Sequence, residues 1–330
     1  MDISLLRDAV PPLLEWFRVS KRDLPWRRNR TPYTALVAEL MLQQTRVEAV
    51  KDRFVQFLAA FPTPEALASA DEEEVLKLWE GLGYYSRARN LHRAAKVIAE
   101  KGFPATFEEM RALPGVGDYT AGAVCSIALG LPVPAVDGNV LRILSRLYAD
   151  GSNIDDPSTK AGYAALLREV YPPETADFCE ALMELGAIVC VPNGAPMCGA
   201  CPWSGLCRAH LAGREEAFPV RAEKRARRTV DATVCVLRCG GRYALEKRPA
   251  KGLLAGLWQF PFFEGDVPGF GPVLKEKRAK HIFTHVEWRM TGRLIETERE
   301  LAPYIWVGAE ELREKYAVPS AFRAFMEWVK

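Results

Sequence analysis

The sequence predicts a multidomain α+β protein: an all-helical domain carrying a four-cysteine loop, followed by a smaller mixed β-rich domain. Up to about residue 215, apolar residues recur at helical spacing between prolines and glycines. The predicted helices span residues 34–43, 47–61, 72–79, 87–100, 119–129, 140–148 and 176–189. After residue 228 the hydrophobic period falls towards two, as in "TVDATVCVL" and "RYALEKR". The pair Gly240-Gly241 between those two runs predicts a hairpin turn.

Length and composition predict an ordinary globular chain of two domains. At 330 residues, each domain is large enough for its own core. We place the helical domain at 1–213, a charged linker at 214–228 and the β-rich domain at 229–330. Basic residues that could meet phosphates in the linker are Arg221, Lys224, Arg225, Arg227 and Arg228. A charged linker is usually only solvated, and the formal net charge of +2 requires that any nucleic-acid contact be local.

Four cysteines fall within eighteen residues, "CVPNGAPMCGACPWSGLC", spaced C-x7-C-x2-C-x5-C. The ligands predicted from this spacing are Cys190, Cys198, Cys201 and Cys207. Thiolates this close, separated by proline and glycine, suit a loop around a metal centre. Four cysteines without a histidine in the loop fit either a 4Fe–4S cluster or an all-cysteine zinc site.

The compartment follows from cysteine usage. The chain has eight cysteines and shows no signal peptide, which favours a reducing, cytoplasmic location over a disulfide framework. No apolar run is long enough to cross a bilayer, so we expect no membrane partner.

The run "LPGVGDYTAGAV", residues 113–124, predicts a hairpin between two helices. Gly115, Val116 and Gly117 would form a tight turn whose N–H groups point outward at a helix N-terminus, where they can hold a phosphate. Such a turn lets a DNA backbone approach without base readout. The alternative is an ordinary helix–turn–helix link with a glycine C-cap.

Two carboxyl groups suggest acid–base chemistry. Glu39 lies in an almost wholly apolar helix that begins at Thr31-Pro32, so desolvation should raise its pKa. Asp137 opens a helix in "VPAVDGNVLRIL", where the dipole and free N–H groups should favour the ionised form, although it could be a plain N-cap. One neutral and one ionised carboxyl is the usual arrangement for cleaving a glycosidic bond.

These motifs together carry a family resemblance. The hairpin, "VPAVDGNV" and the four-cysteine loop resemble the helix–hairpin–helix DNA glycosylase superfamily. Within it, "LPWRRNRTPYTALVAELMLQQTRV", "WEGLGYYSRARNL" and "ALMELGA" closely resemble the MutY family of adenine DNA glycosylases. The match weakens in the tail, where "KGLLAGLWQFP" and "FTH" are similar to that family's lesion-recognition domain.

The resemblance implies a base-excision-repair enzyme that flips out and hydrolyses adenine opposite 8-oxoguanine or guanine in double-stranded DNA. It implies that Glu39 is the general acid, protonating adenine at N7, and that Asp137 stabilises or transiently bonds to the sugar cation. Tyr119 matches a tyrosine close to that intermediate, and Asn139 lies in the same turn as Asp137. A single 4Fe–4S cluster and a monomer are also expected.

Further residues are implied by the same resemblance. Those around the flipped adenine are Trp26, Arg27 and Glu184. Those contacting or wedging the duplex are Gln44, Thr45, Leu82 and Tyr84, with the hairpin residues 115–117. Those expected to recognise the lesion are Phe283, Thr284 and His285. For Tyr84 the alternative is core packing, the commoner fate of a lone aromatic.

The chain departs from the family in two places. Seven residues, not the usual six, separate Cys190 from Cys198, so one loop residue should bulge outward. Thr284 replaces the usual serine of the lesion loop and keeps its hydroxyl. The C-terminal domain resembles the Nudix fold, but residues 229–330 lack a glutamate-rich Nudix box, so recognition rather than hydrolysis is expected.

Two other functions compete with this interpretation. An endonuclease III-like glycosylase with lyase activity shares the hairpin, the aspartate and the cluster, but its nucleophilic lysine corresponds to Tyr119 here, which cannot form a Schiff base. A non-enzymatic DNA-binding protein would leave the joint presence of Glu39, Asp137 and Glu184 unexplained.

Overall fold

The structure is a computed structural model that describes residues 2–223 and 226–330, which form two compact units. The first unit contains residues 2–68 and 93–223, and the second contains 69–92 and 226–330. The division near residue 223 lies inside the segment expected to be a linker, whose Lys224 and Arg225 are outside the described residues. Sequence periodicity gave no sign that residues 69–92 pack with the C-terminal region.

The helices are, in chain order, α1 Ile3–Ser20, α2 Pro25–Arg28, α3 Pro32–Leu42, α4 Val47–Ala60, α5 Pro64–Ser69, α6 Glu72–Leu78, α7 Ser86–Lys101, α8 Phe107–Arg111, α9 Asp118–Ala128, α10 Gly138–Tyr148, α11 Pro157–Val170, α12 Thr175–Ile188, α13 Arg208–Leu211 and α14 Ala309–Lys315. Short 3-10 helices cover Cys198–Ala200, Glu215–Ala217 and Ser320–Trp328. Every helix predicted from periodicity is present, with bounds within two residues. The expected start of α3 is also confirmed, since Thr31 caps it and Pro32 is its first residue.

Helix α12 is central to the first unit, where it packs against α1, α9 and α10. Its buried Phe178, Leu182 and Leu185 share one hydrophobic core with apolar residues of α1 and α10. The charged residues of α12 therefore have to lie at the edge of this core or be paired within it. The start of α10 and one face of α12 are thereby fixed beside α3 and α9, which also pack together.

The second unit is built on a mixed sheet. Its strands are β1 Arg228–Cys239, β2 Arg242–Lys247, β3 Trp258–Gln259, β4 Phe262–Phe263, β5 Val273–Ile282, β6 Val286–Glu296 and β7 Ile305–Gly308. The main path runs β3-β2-β1-β6-β5, with β1 and β6 parallel and the other neighbours antiparallel. The predicted Gly240-Gly241 hairpin is confirmed, because both glycines have positive φ and Cys239 pairs with Arg242. The run "HIFTHVEWRM" divides into two strands joined by residues 283–285.

Residues 69–92 are attached to this unit by polar contacts. Glu73 accepts hydrogen bonds from Lys247 at 2.6 Å and from the Trp258 indole at 3.2 Å. Lys77 donates to the carbonyl of Tyr316 at 3.1 Å. Among the described residues, no helix is both long enough and apolar enough to span a bilayer.

Candidate active site

A cavity of about 630 Å³ opens in the first unit between α2, α3, α9, α10 and α12. The sequence-predicted residues on its wall are Trp26, Arg27, Glu39, Gln44, Thr45, Gly117, Tyr119, Asp137, Asn139 and Glu184. They come from segments up to 158 residues apart, between Trp26 and Glu184, so the tertiary fold alone brings them together.

Glu39 lies in the middle of α3, a helix whose residues 33–41 are all buried. Its side chain is 6% exposed, and Oε2 has no hydrogen-bond partner. Burial raises the pKa of Glu39 to about 7; Tyr119 and Arg27 act to lower it, and Asp137 acts to raise it further. The carboxyl can therefore hold a proton near neutral pH and release it into the cavity.

Asp137 is the N-cap of α10. Its Oδ1 accepts the N–H of Val140 and its Oδ2 accepts the side-chain amide of Asn139, both at 2.8 Å. Burial nevertheless raises the pKa of Asp137 above its ordinary value, against these hydrogen bonds and the charge of Arg142. The backbone N–H groups at the start of α10 do favour the ionised form, as expected, but the cost of removing the carboxyl from water is larger, so the pKa of Asp137 is raised overall.

Arg142, on the next turn of α10, connects this aspartate to the cysteine loop. Its guanidinium donates to Oδ1 of Asn139 at 2.9 Å and to the carbonyl of Cys190 at 2.8 Å, and it also reaches the carbonyl of Gly186 at 2.7 Å. The side chain is 4% exposed. One buried arginine thus holds the amide that orients Asp137.

An ion-pair network that sequence reasoning missed forms another part of the wall. Arg22 and Arg27 both bond Glu184, at 2.8 Å and 2.9 Å. Burial acts to raise the pKa of Glu184, but the hydrogen bonds from both arginines outweigh it and lower the pKa to about 2. Glu180, also on the wall, contacts Arg30 and lies 3.6 Å from Nε of Arg27. Its helical spacing of four from Glu184 on α12 was the available signal.

Wall residues also missed include Met183 and Lys160. The hydroxyl of Tyr119 donates to the sulfur of Met183 at 3.7 Å. Burial raises the pKa of Tyr119 well above its ordinary value, so its hydroxyl keeps its proton and remains a donor. Trp26 is buried edge-on against Phe54, with ring centroids 5.6 Å apart.

The hairpin between α8 and α9 has the expected form. Gly115 has φ +76°, a conformation that favours glycine, and Gly117 caps α9. Both glycines are exposed, whereas Val116 is buried and anchors the turn. Backbone N–H groups of the turn are therefore accessible next to the cavity wall at Gly117.

The four cysteines of the loop line one enclosed space together with His210 and Glu215. Nη1 of Arg146 donates to the sulfur of Cys190 at 3.2 Å, and the thiol of Cys207 donates to the carbonyl of Arg146 at 3.2 Å. Cys198, His210 and Glu215 also bring one ligand atom each within 4.8 Å of one another. The donor set fits a group bound by four thiolates, and a cationic hydrogen bond to a thiolate sulfur supports that arrangement.

The expected lesion-recognition residues lie together in the second unit. Phe283, Thr284 and His285 line a cavity of about 420 Å³ with Tyr84, whose hydroxyl is 3.1 Å from that of Thr284. Tyr84 has φ +46° and is 47% exposed, which excludes the core-packing alternative, whereas Leu82 is buried. The described lining contains no carboxylate that could hold a metal ion for hydrolysis.

Comparison with known proteins agrees with this architecture. The sequence model of the HhH-GPD superfamily of base excision DNA repair proteins matches residues 37–172, and the NUDIX domain model matches residues 233–328. The chain is 39% identical to an adenine DNA glycosylase of Homo sapiens, covering 79% of this chain and 58% of the relative. It is 34% identical to one of Schizosaccharomyces pombe, covering 80% of this chain and 70% of the relative. The chain belongs to the adenine DNA glycosylase family.

Some members of this family are much longer. The chain spans 46% of the Arabidopsis thaliana relative, to which it is 39% identical over 76% of its own length. Among solved structures, a thermostable thymine-DNA glycosylase aligns with a TM-score of 0.58 and 28% identity, covering 63% of this chain and 98% of that one. An endonuclease III–DNA complex aligns with a TM-score of 0.55 and 25% identity, covering 64% and 98%. The fold is therefore a helical glycosylase domain with a β-rich Nudix-like domain after it.

Proposed function

We propose that the protein is a monofunctional DNA N-glycosylase of base excision repair that removes adenine mispaired with 8-oxoguanine or guanine. The observation that carries this proposal is the pair Glu39 and Asp137 on the wall of one cavity. Burial raises the pKa of Glu39 to about 7, which suits an acid that must be protonated at working pH. The cavity, of about 630 Å³, is within the usual range for small-ligand pockets and has room for a flipped base.

In the proposed mechanism, the duplex extrudes adenine into this cavity. Glu39 gives its proton to N7 of the base, which makes adenine a better leaving group. Asp137 faces the sugar and stabilises its positive charge, or bonds to it transiently, while Asn139 keeps the carboxylate oriented through its 2.8 Å hydrogen bond. Tyr119 stays protonated and donates a hydrogen bond beside the sugar.

Recognition of the base is assigned to other residues of the cavity wall, and contact with the duplex to residues of both units. Arg27 and Glu184 would read the edges of adenine, with Trp26 beside them. Gln44, Thr45, Leu82 and Tyr84 would contact or wedge the opened duplex, and residues 115–117 would hold a phosphate. Inserting a side chain into the stack offsets the few kcal/mol that unstacking costs.

The rival lyase activity requires an amine where this chain has Tyr119. A phenol cannot form a Schiff base with the sugar, so strand cleavage should not follow base removal. The protein would act on double-stranded DNA as a monomer.

We further propose that Cys190, Cys198, Cys201 and Cys207 hold one 4Fe–4S cluster. The cluster would cross-link the loop and fix its shape. Through the carbonyl of Cys190, Arg142 and Asn139, that shape would bear on the orientation of Asp137.

The test uses labelled duplexes containing adenine opposite 8-oxoguanine, guanine or thymine, each incubated with the protein and analysed with and without alkali. Adenine release opposite 8-oxoguanine and guanine, but not thymine, is expected. Glu39→Gln should lower the single-turnover rate by about 10²–10⁴-fold while duplex affinity is retained. The matched control is Glu100→Gln, on the exposed surface of α7, which should behave as the unmodified protein. A near-normal rate for Glu39→Gln would remove Glu39 from the mechanism.

A further inference from the structure

A short segment that the sequence assigned to a charged linker is fixed on the first unit instead. The carbonyl of Val220 accepts the N–H of Ile154 at 3.0 Å. Two residues later, the N–H of Ala222 donates to Oδ2 of Asp155 at 3.1 Å. Because its backbone is held on both sides, Arg221 has a defined position rather than that of a freely solvated linker residue.

The side chain of Arg221 lies beside the start of α10. Its Nη2 is 3.9 Å from the point that a Cβ on Gly138 would occupy, and Gly138 follows Asp137 and lines the cavity. The guanidinium has an acidic neighbour, Asp155, but the nearest atoms are 3.9 Å apart and the two side chains are 49% and 46% exposed. Such a long, solvated ion pair contributes little, so the guanidinium keeps donors for a ligand.

Lys160 of α11 supplies a second cation at the same cavity. The other cationic residues on the described wall are Arg22 and Arg27, and both are bonded to Glu184. Lys160 is half-buried and forms no ion pair with any described residue. A cation without a protein anion on the wall of a binding site favours a ligand that brings its own negative charge.

The group that can bring this charge is a backbone phosphate. A nucleotide whose sugar faces Asp137 has a phosphodiester on each side of that sugar. The hairpin at residues 115–117 is assigned one phosphate, whereas Arg221 borders Gly138, the residue next to Asp137. Extruding a nucleotide distorts the strand, and cations held beside the distorted backbone help to offset that cost.

We propose that Arg221 and Lys160 bind a backbone phosphate of the extruded nucleotide, in addition to the phosphate held by the hairpin. This inference rests on the proposed function. Arg221 provides directed N–H donors from a fixed segment, and Lys160 provides a point charge from the cavity wall. Contacts of this kind carry no base information, so they contribute to affinity and position but not to the choice of adenine.

The first test measures the affinity of the protein for a mispaired duplex between about 50 and 200 mM salt. The target adenosine carries fluorine at C2′, which disfavours the sugar cation and keeps the duplex intact. Arg221→Ala should weaken binding by about tenfold at the lower salt, and Arg221→Ala/Lys160→Ala should reduce the slope of log affinity against log salt by about one. The matched control is Arg18→Ala, because Arg18 is 58% exposed and is also loosely paired, at 3.6 Å from Glu174. It should change neither the affinity nor the slope.

The second test identifies the phosphate. Each of the two phosphates next to the target adenosine is replaced in turn by a neutral methylphosphonate. At one of them, the replacement should weaken binding of the unmodified protein but have no further effect on Arg221→Ala/Lys160→Ala, because the contact is already lost. An equal loss in both proteins at both positions would overturn the inference.

A purely structural role for Arg221 predicts a different result. If Arg221 only holds its segment through Asp155, then Asp155→Asn, which removes the charge but keeps an acceptor for Ala222, should weaken binding as Arg221→Ala does. We expect instead that Asp155→Asn binds at least as tightly as the unmodified protein, and that Arg221→Lys retains the salt slope. Equal weakening by Asp155→Asn and Arg221→Ala would contradict the inference. The proposed function fails separately, if the unmodified protein releases no adenine from an ordinary mispaired duplex, because these binding measurements do not depend on release.

Discussion

The side-chain amide of Asn139 donates a 2.8 Å hydrogen bond to Oδ2 of Asp137, while its oxygen accepts one from Arg142 at 2.9 Å. Arg142 is in turn bonded to the carbonyl of Cys190, 48 residues further along the chain. The aspartate proposed to face the sugar is therefore oriented by residues that also hold the start of the cysteine loop. Small displacements in this chain of contacts should affect catalysis more than folding.

Gly186 offers a test of that dependence. A Cβ at this position of α12 would lie 2.6 Å from the Cβ of Asn139, too close to be accommodated without movement. We expect Gly186→Ala to displace Asn139 and lower the adenine-release rate by about 10–100-fold in single-turnover assays. The control is Gly162→Ala on α11, where a Cβ meets nothing within 4 Å and which should gain helix stability at normal activity. Equal behaviour of the two variants would contradict the proposed coupling.

Glu39 should also make stability depend on pH. Its pKa is about 7 in the folded protein against an ordinary value of 4.5, so the folded state binds more protons between these values. The free energy of unfolding should therefore fall as pH rises from about 4.5 to 7, by about 3 kcal/mol in all. The Glu39→Gln variant lacks this titrating group. Its free energy of unfolding, relative to that of the unmodified protein, should therefore increase as pH rises over that range. Urea unfolding at pH 4.5 and pH 8 measures the difference; the exposed Glu100→Gln should show no such change.

The presence of tyrosine rather than lysine at position 119 predicts that the product is an uncut strand that has lost its adenine. Adenine should be released while the strand stays intact until alkali is added, because a phenol cannot form an imine. Borohydride trapping checks this, with one precaution: Lys160 is an amine on the same cavity wall. A trace adduct that disappears in Lys160→Ala would leave the role of Tyr119 unchanged. Strand cleavage without alkali, persisting in Lys160→Ala, would contradict it.

Two donor sets overlap at Cys198 of the cysteine loop, and metal analysis separates them. We expect iron and sulfide near four each per chain, the composition of a cubane bound by four thiolates. Cys201→Ala should then lower folding yield and iron content, whereas Cys239→Ala in the second unit should not. If Cys198, His210 and Glu215 instead held a zinc ion, His210→Ala would remove the metal and Cys201→Ala would spare it. Stoichiometric zinc without iron would overturn the cluster proposal but not the glycosylase proposal.

Thr284 should contribute to the choice between 8-oxoguanine and guanine. Its hydroxyl lies 3.1 Å from that of Tyr84 at an exposed position, so its loss should cost little stability. We expect Thr284→Ala to reduce the preference for 8-oxoguanine by about tenfold, compared by single-turnover rates on the two mispairs. Thr291→Ala, on β6, serves as the control. Unchanged discrimination would place lesion recognition elsewhere. Point variants are preferable to truncation, since residues 69–92 pack with the C-terminal region.

Local patterns were sufficient for the secondary structure and for the identity of the motifs. The bounds of α3 follow from Thr31, Pro32 and the apolar run after them, and the β1–β2 turn follows from two glycines. These features depend on neighbours within a few residues, where hydrogen bonding and side-chain spacing act directly.

Electrostatics could be inferred only in part: the raised pKa of Glu39 was expected from its apolar helix, whereas the raised pKa of Asp137 was not. The helix N-terminus at Asp137 was visible in the sequence, but the burial that raises its pKa depends on how α3, α9 and α12 close over it. The pairing of Arg22 with Glu184 joins residues 162 apart. Charge energies fall with distance in space and with the water around a group, and neither quantity is encoded in local spacing.

The sequence by itself determined which chemistry the chain carries: a carboxyl in an apolar helix, an aspartate at a helix start, a glycine hairpin and four clustered cysteines. Those properties depend on residue type and short-range order. Only the tertiary structure decided that Glu39, Asp137 and Glu180 share one cavity, and that residues 69–92 pack with the β-rich region. Both outcomes arise from packing of elements distant in the chain, because burying apolar faces is non-directional and selects partners by shape across the whole fold.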